Sequence, residues 1–137
     1  MTHVEVVRRF DSPPARVWEV YTDHARMSEW SGLAGARLVR EGSPQRNGSG
    51  AIRGFAAGAR EEILDFEPPR RMTYRVIAGP LPLKDHLGEA VLEPDGSGTR
   101  LTWRCRFRPS VPGTGWLLRR VITRVFARAL EGLAARV

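Results

Sequence analysis

Cysteine is almost missing from these 137 residues, with Cys105 the only one. An internal disulfide framework is thereby excluded, and the usage fits a reducing cytoplasm, which is the compartment expected by default. No apolar run approaches the roughly 20 residues that a membrane-spanning helix needs. The opening Met1-Thr2-His3-Val4-Glu5 carries a charge where a secretory signal would be apolar, which argues against export. Metal-ligand spacing is absent as well: no HExxH, no paired cysteines and no carboxylate–histidine cluster, so no metal is expected. There is no serine nucleophile elbow. Gly48-Ser49-Gly50 precedes a strand, where a dinucleotide loop would open a helix, so no cofactor is expected.

What remains is a chain with 42% hydrophobic and 27% charged residues, the balance of a folded globular protein long enough to bury a core. Residues 1–137 read as one domain. The formal net charge of +7 invites a nucleic-acid reading. Lys84 is the only lysine, however, and the arginines are spread along the chain instead of being gathered in a tail or a single basic helix. No specific nucleic-acid binding is expected from that pattern.

A valine-rich strand spans Thr2 to Asp11, although Val4, Val6 and Val7 break strict alternation. Ser12-Pro13-Pro14 then opens a short helix to about Asp23, with Ser12 as the expected N-cap. A second short helix is expected over His24 to Trp30, ended by Ser31-Gly32. From Ala34 onward the chain alternates through 36–41, 51–56, 60–66, 71–77, 86–92 and 99–108. The separators include Asn47-Gly48, Ala57-Gly58 and Asp95-Gly96-Ser97-Gly98, the chemistry of tight turns. Strands so closely connected imply an antiparallel meander. In the last of them Leu101, Trp103, Cys105 and Phe107 face one way and Thr102, Arg104, Arg106 and Arg108 the other, so one face is buried and one wet. Past Pro109 and Pro112-Gly113 the spacing becomes helical from about Gly115 to Val137. Leu118, Val121, Ile122, Val125, Ala129, Leu130 and Leu133 form its apolar stripe, which has only the sheet to lie on.

The order strand, two short helices, six strands, long helix resembles the START/Bet v 1-like superfamily (SRPBCC), in particular its polyketide cyclase/dehydrase-like branch. The residues that carry the match run through the whole chain: the stretch from Phe10-Asp11-Ser12-Pro13-Pro14 to Trp18, then Trp30, Gly50-Ala51-Ile52-Arg53, the run from Arg60-Glu61-Glu62-Ile63 to Tyr74, and Leu92-Glu93-Pro94-Asp95-Gly96. The resemblance implies an α+β helix-grip fold, a seven-stranded curved antiparallel sheet around the C-terminal helix, with a cavity for a small apolar ligand between them.

In such a fold the inward side chains either fill the core or line the cavity. Parity nominates Leu101, Trp103 and Phe107, Tyr74 and Met72, and Leu92, Ala90, Gly88 and His86. Trp30 sits near the expected entrance, and Phe55 shares the inward parity. Arg53 has the parity of Ala51 and Phe55, and Glu61 that of Ile63, so the two can pair across the turn at Ala57-Gly58. The resemblance implies an inward arginine and glutamate at these places. A guanidinium in an apolar pocket would suit a ligand carboxylate, enolate or phenolate. His86, expected to face inward, is the histidine suited to acid–base work near neutrality. His3 and His24 read as surface residues, and Cys105, on the buried parity, as inert.

Three functions fit these residues. The first is binding or carriage of a lipid, isoprenoid or polyketide-like molecule, with Trp30, Arg53, Phe55, Glu61, Tyr74, His86 and Trp103 as ligand contacts. In the second, a polyketide cyclase, aromatase or dehydratase, Arg53 polarises a carbonyl while Glu61 or His86 moves a proton. A third is an interaction module with a filled core.

Overall fold

In the computed structural model, which describes Met1 to Val137, strand β1 (Thr2–Phe10) directs Val4, Val6 and Phe10 into the core. Val7 points the other way and is exposed, so the strand alternates after all. Helix α1 (Pro14–Tyr21) starts on a proline, tolerated there because the first helical N–H groups have no intrahelical partner. Ser12 does not cap it: Pro13 occupies that position, and the Ser12 carbonyl accepts a bond from Thr99 Oγ1 at 2.8 Å. Val17, Trp18 and Tyr21 form the buried face of α1. The second short helix is a 3₁₀ helix over His24–Glu29.

Six more strands follow: β2 (Arg37–Arg40), β3 (Ile52–Gly54), β4 (Arg60–Glu67), β5 (Arg71–Ala78), β6 (Leu83–Asp95) and β7 (Gly98–Pro109). All pair antiparallel, in the order β1-β7-β6-β5-β4-β3-β2, so the first strand closes against the last. β6 begins earlier than its alternation predicts. Asp85, at φ 54°, sits in a bulge between Lys84 and Leu87 that interrupts the pattern and turns the strand.

Helix α2 (Gly115–Ala134) runs about 30 Å. It buries Leu118, Ile122, Phe126, Ala129, Leu130 and Leu133 against the sheet. Of the expected stripe, Val125 is only partly covered and Val121 stays 46% exposed, because both lie on the flank of the helix where the sheet curves away. Arg8 on β1 reaches Glu131 at 2.6 Å and ties the two elements together. Near its end α2 comes so close to the Trp30 carbonyl that a β-carbon on Gly132 would lie 1.9 Å from that oxygen. The result is a helix-grip fold, a seven-stranded curved antiparallel sheet around one long C-terminal helix. No helix is long and apolar enough to cross a membrane.

Candidate ligand cavity

The short β3–β4 connection sets Arg53 directly opposite Glu61 in the ladder. Side chains directly opposite on antiparallel strands share a face, and here Arg53 Nε donates to Glu61 Oε1 at 2.6 Å. The burial of the two is unequal. Arg53 is 0% exposed, whereas the Glu61 side chain keeps 19% of its surface. The guanidinium carbon lies 4.4 Å from the centroid of the Tyr74 ring, a cation–π contact. Its Nη1 and Nη2 are enclosed and have no protein partner.

Tyr74 can lie where it does because Gly88 stands opposite it on β6. A β-carbon there would come 2.2 Å from Tyr74 Cζ, so only glycine leaves room for the ring. The phenol oxygen accepts from Trp103 Nε1 at 2.8 Å. Burial first, then the nearby Glu61 charge, raises the Tyr74 pKa well above the ordinary phenol value, which keeps it neutral. Trp103 in turn stacks on Phe126 of α2, centroids 3.9 Å apart and planes 8° from parallel.

Beyond the Tyr74–Gly88 pair, β5 and β6 part. The Val76 N–H, which would otherwise meet a backbone carbonyl, donates to His86 Nδ1 at 3.1 Å. With Nδ1 accepting, the neutral ring carries its proton on Nε2. Burial lowers the His86 pKa below the ordinary imidazole value, and Arg53 adds to that, against an opposing pull from Glu61.

Where the strands part, a cavity of about 220 Å³ opens between the sheet and α2. Phe55, Glu61, Tyr74, His86 and Trp103 line it, with Leu118, Ile122, Val125 and Phe126 from α2. Val121, Leu81 and Arg60 rim its mouth. Two residues expected on this wall are not on it. Arg53 is withdrawn behind the Tyr74 ring by its bond to Glu61. Trp30 is buried against Tyr21, ring centroids 5.8 Å apart, beneath the end of α2. His24 also departs from expectation: it is 0% exposed, with Nε2 2.9 Å from the Asn47 carbonyl. Burial, reinforced by the Arg53 charge, lowers its pKa to about 3. Cys105 lines the cavity too, its thiol pushed up to about 12 by burial and, secondarily, by Glu61, which leaves it protonated.

Residues 1–137 match the family model described as "Polyketide cyclase / dehydrase and lipid transport". The chain belongs to that family. Solved structures place this family member among START-type folds. A protein from Thermobifida fusca is 26% identical, with a TM-score of 0.84 over 99% of this chain and 93% of its own. A START superfamily protein from Mycobacterium smegmatis superposes with a TM-score of 0.83 at 10% identity, covering 100% of this chain and 97% of that one. XoxI from Bacillus cereus gives 0.81 at 17% identity, over 99% and 95%. No curated protein matches the sequence.

Several wall residues of this family member carry no nomination from the sequence, Phe126 and Met27 among them. Phe126 lies four residues past Ile122, squarely on the apolar stripe, so helical spacing was a sufficient signal. Met27, from the 3₁₀ helix, closes the cavity from above and carried no such signal, because a six-residue segment shows no period.

Proposed function

We propose that this protein binds and carries a small apolar molecule in the cavity between its sheet and α2. The observation that supports this most is the chemistry of the wall: aromatic and aliphatic almost throughout, with Glu61 and His86 as its inner polar groups. Sites of this composition take ligands whose body is apolar and whose orientation is set by one or two polar contacts. Volume narrows the class. An apolar cavity of about 150 Å³ accommodates benzene, so 220 Å³ corresponds to roughly nine or ten heavy atoms, one substituted ring or a short chain. A sterol or a full-length acyl chain would extend through the mouth past Val121 and Leu81. A thermal-shift panel of small alkylbenzenes tests the reading. Stabilisation that saturates with concentration is expected, and no shift with any member would favour a filled-core interaction module instead.

A second reading rests on Glu61 and His86 together. A carboxylate and a neutral imidazole on one apolar wall are suitable for moving a proton next to a carbonyl, as a cyclase or dehydratase requires. Turnover of a short β-diketone that is abolished in Glu61→Gln and His86→Phe would establish this over simple carriage.

A further inference from the structure

The cavity's polar end has an unexpected sign. Its arginine is out of reach, because Nη1 and Nη2 are enclosed and Nε is committed to Glu61. Arg53 does not line the cavity, whereas Glu61 does, with Oε1 its only side-chain atom bonded to a protein group. His86 contributes an Nε2–H, since Nδ1 is occupied by the Val76 N–H. Tyr74 Oη accepts from Trp103 Nε1, and its own hydrogen has no protein partner. A ligand therefore meets a hydrogen-bond acceptor at Glu61 and neutral donors at His86 and Tyr74.

Resting on the carriage reading, we infer that the ligand presents a neutral hydroxyl, a phenol or enol, to Glu61, with its oxygen placed to accept from His86 Nε2. Charge decides against the alternatives. Arg53 and Glu61 compensate each other, so the inner end of the cavity is close to neutral, and the unpaired arginine of the lining, Arg60, stands at the mouth. A ligand carboxylate at the inner end would place a second anion beside Glu61 with no free cation there. An ammonium would be attracted to Glu61 but would sit beside the Arg53 charge in an apolar enclosure, at a cost neither partner removes. A hydroxyl brings no net charge and supplies the one thing the carboxylate lacks, a proton to accept. Hydrogen bonds to charged acceptors are the stronger kind. This reverses the preference for anions that an inward arginine suggests when seen only in the sequence.

The test uses the whole protein and three ligands of matched shape. Titration calorimetry or amide chemical-shift mapping near neutral pH would compare para-ethylphenol, para-ethylanisole and para-ethylbenzoate. The phenol should bind about tenfold more tightly than the anisole, which keeps the oxygen but cannot donate. The benzoate should bind most weakly. Equal affinities for phenol and anisole, or a preference for the benzoate, would overturn the inference and leave the cavity as a ligand site. Failure of all three to bind would remove the carriage reading along with it. In the double variant R53M/E61Q, which removes both charges together, the phenol's advantage should shrink to within about threefold. An undiminished advantage there would overturn Glu61 as the acceptor. The comparison on the unmodified protein decides the matter by itself if that variant does not fold.

Discussion

Replacing Glu61 with glutamine leaves a fully enclosed guanidinium without its counter-charge. Glutamine keeps a carbonyl within reach of Arg53 Nε, so the change isolates charge from hydrogen bonding. An arginine cannot shed its proton, and Arg53 is 0% exposed, so bulk solvent does not screen its charge. Breaking a buried pair in this direction costs about 3 kcal/mol or more. The opposite change, Arg53→Met, strands Glu61, but Glu61 borders the cavity and retains 19% of its surface. A carboxylate there can be hydrated, so the loss should be nearer 1–2 kcal/mol. For a chain of this length the unfolding entropy is about 0.3 kcal/mol per degree, so 1 kcal/mol moves Tm by about 3–4 °C. Glu61→Gln should therefore melt roughly 10 °C below the parent and Arg53→Met about 4–7 °C below. The double variant R53M/E61Q should melt above Glu61→Gln alone, since it carries no uncompensated charge. Calorimetric or circular-dichroism melts of the four proteins at neutral pH check this. If Arg53→Met melts at or below Glu61→Gln, unequal burial does not govern the pair and the reasoning fails.

His24 makes stability depend on acid. Its folded pKa, about 3, lies below the ordinary value of 6.5, so the unfolded chain binds the extra proton and stability falls as pH drops through that window. Between pH 7 and 4 the parent should lose about 3 kcal/mol more than His24→Gln, measured by urea denaturation. Parallel pH profiles would show that His24 is not held neutral. Gly88→Ala should cost about 1–3 kcal/mol and disturb the Trp103–Tyr74 bond, visible as a changed tryptophan emission. Unaltered emission at parental stability would mean the ring does not depend on that glycine. On α2, Arg119, Arg120 and Arg124 lie together and form no ion pairs, a more concentrated basic face than the scattered arginines suggested. Three phosphate contacts would give a log–log salt slope no steeper than about −3 for duplex DNA, with binding largely gone at physiological salt. A steeper slope, or selectivity between sequences, would contradict that expectation.

Much of this geometry was legible because β-structure writes its faces with a period of two. Leu101, Trp103, Cys105 and Phe107 declare the inner face of β7 without help from any other strand. Arg53 and Glu61 could be matched because the connection between their strands is short, so parity and distance were both set locally. That Arg53 lies behind the wall depends on where the Tyr74 ring rests, and that depends on Gly88 from a different strand. His24 was misjudged for the same reason. Next to Asp23 it looks exposed, and only the Asn47 carbonyl, 23 residues away, gives it a reason to be buried. His86 was placed inward by parity, but its tautomer follows from the parting of β5 and β6, which no local pattern encodes.

The closure of β1 onto β7 also governs how this chain is made. Phe10 pairs with Thr99 and Thr2 with Phe107, so the first of the seven strands must wait for the seventh. At roughly 5–20 residues per second, that partner trails by about five to twenty seconds. During this interval Val4, Val6, Val7 and Phe10 form an unpaired strand with apolar side chains on both faces, the kind of segment that pairs with whatever edge it meets first. The charges interleaved with them, Glu5, Arg8 and Arg9, are of the kind that opposes such mispairing.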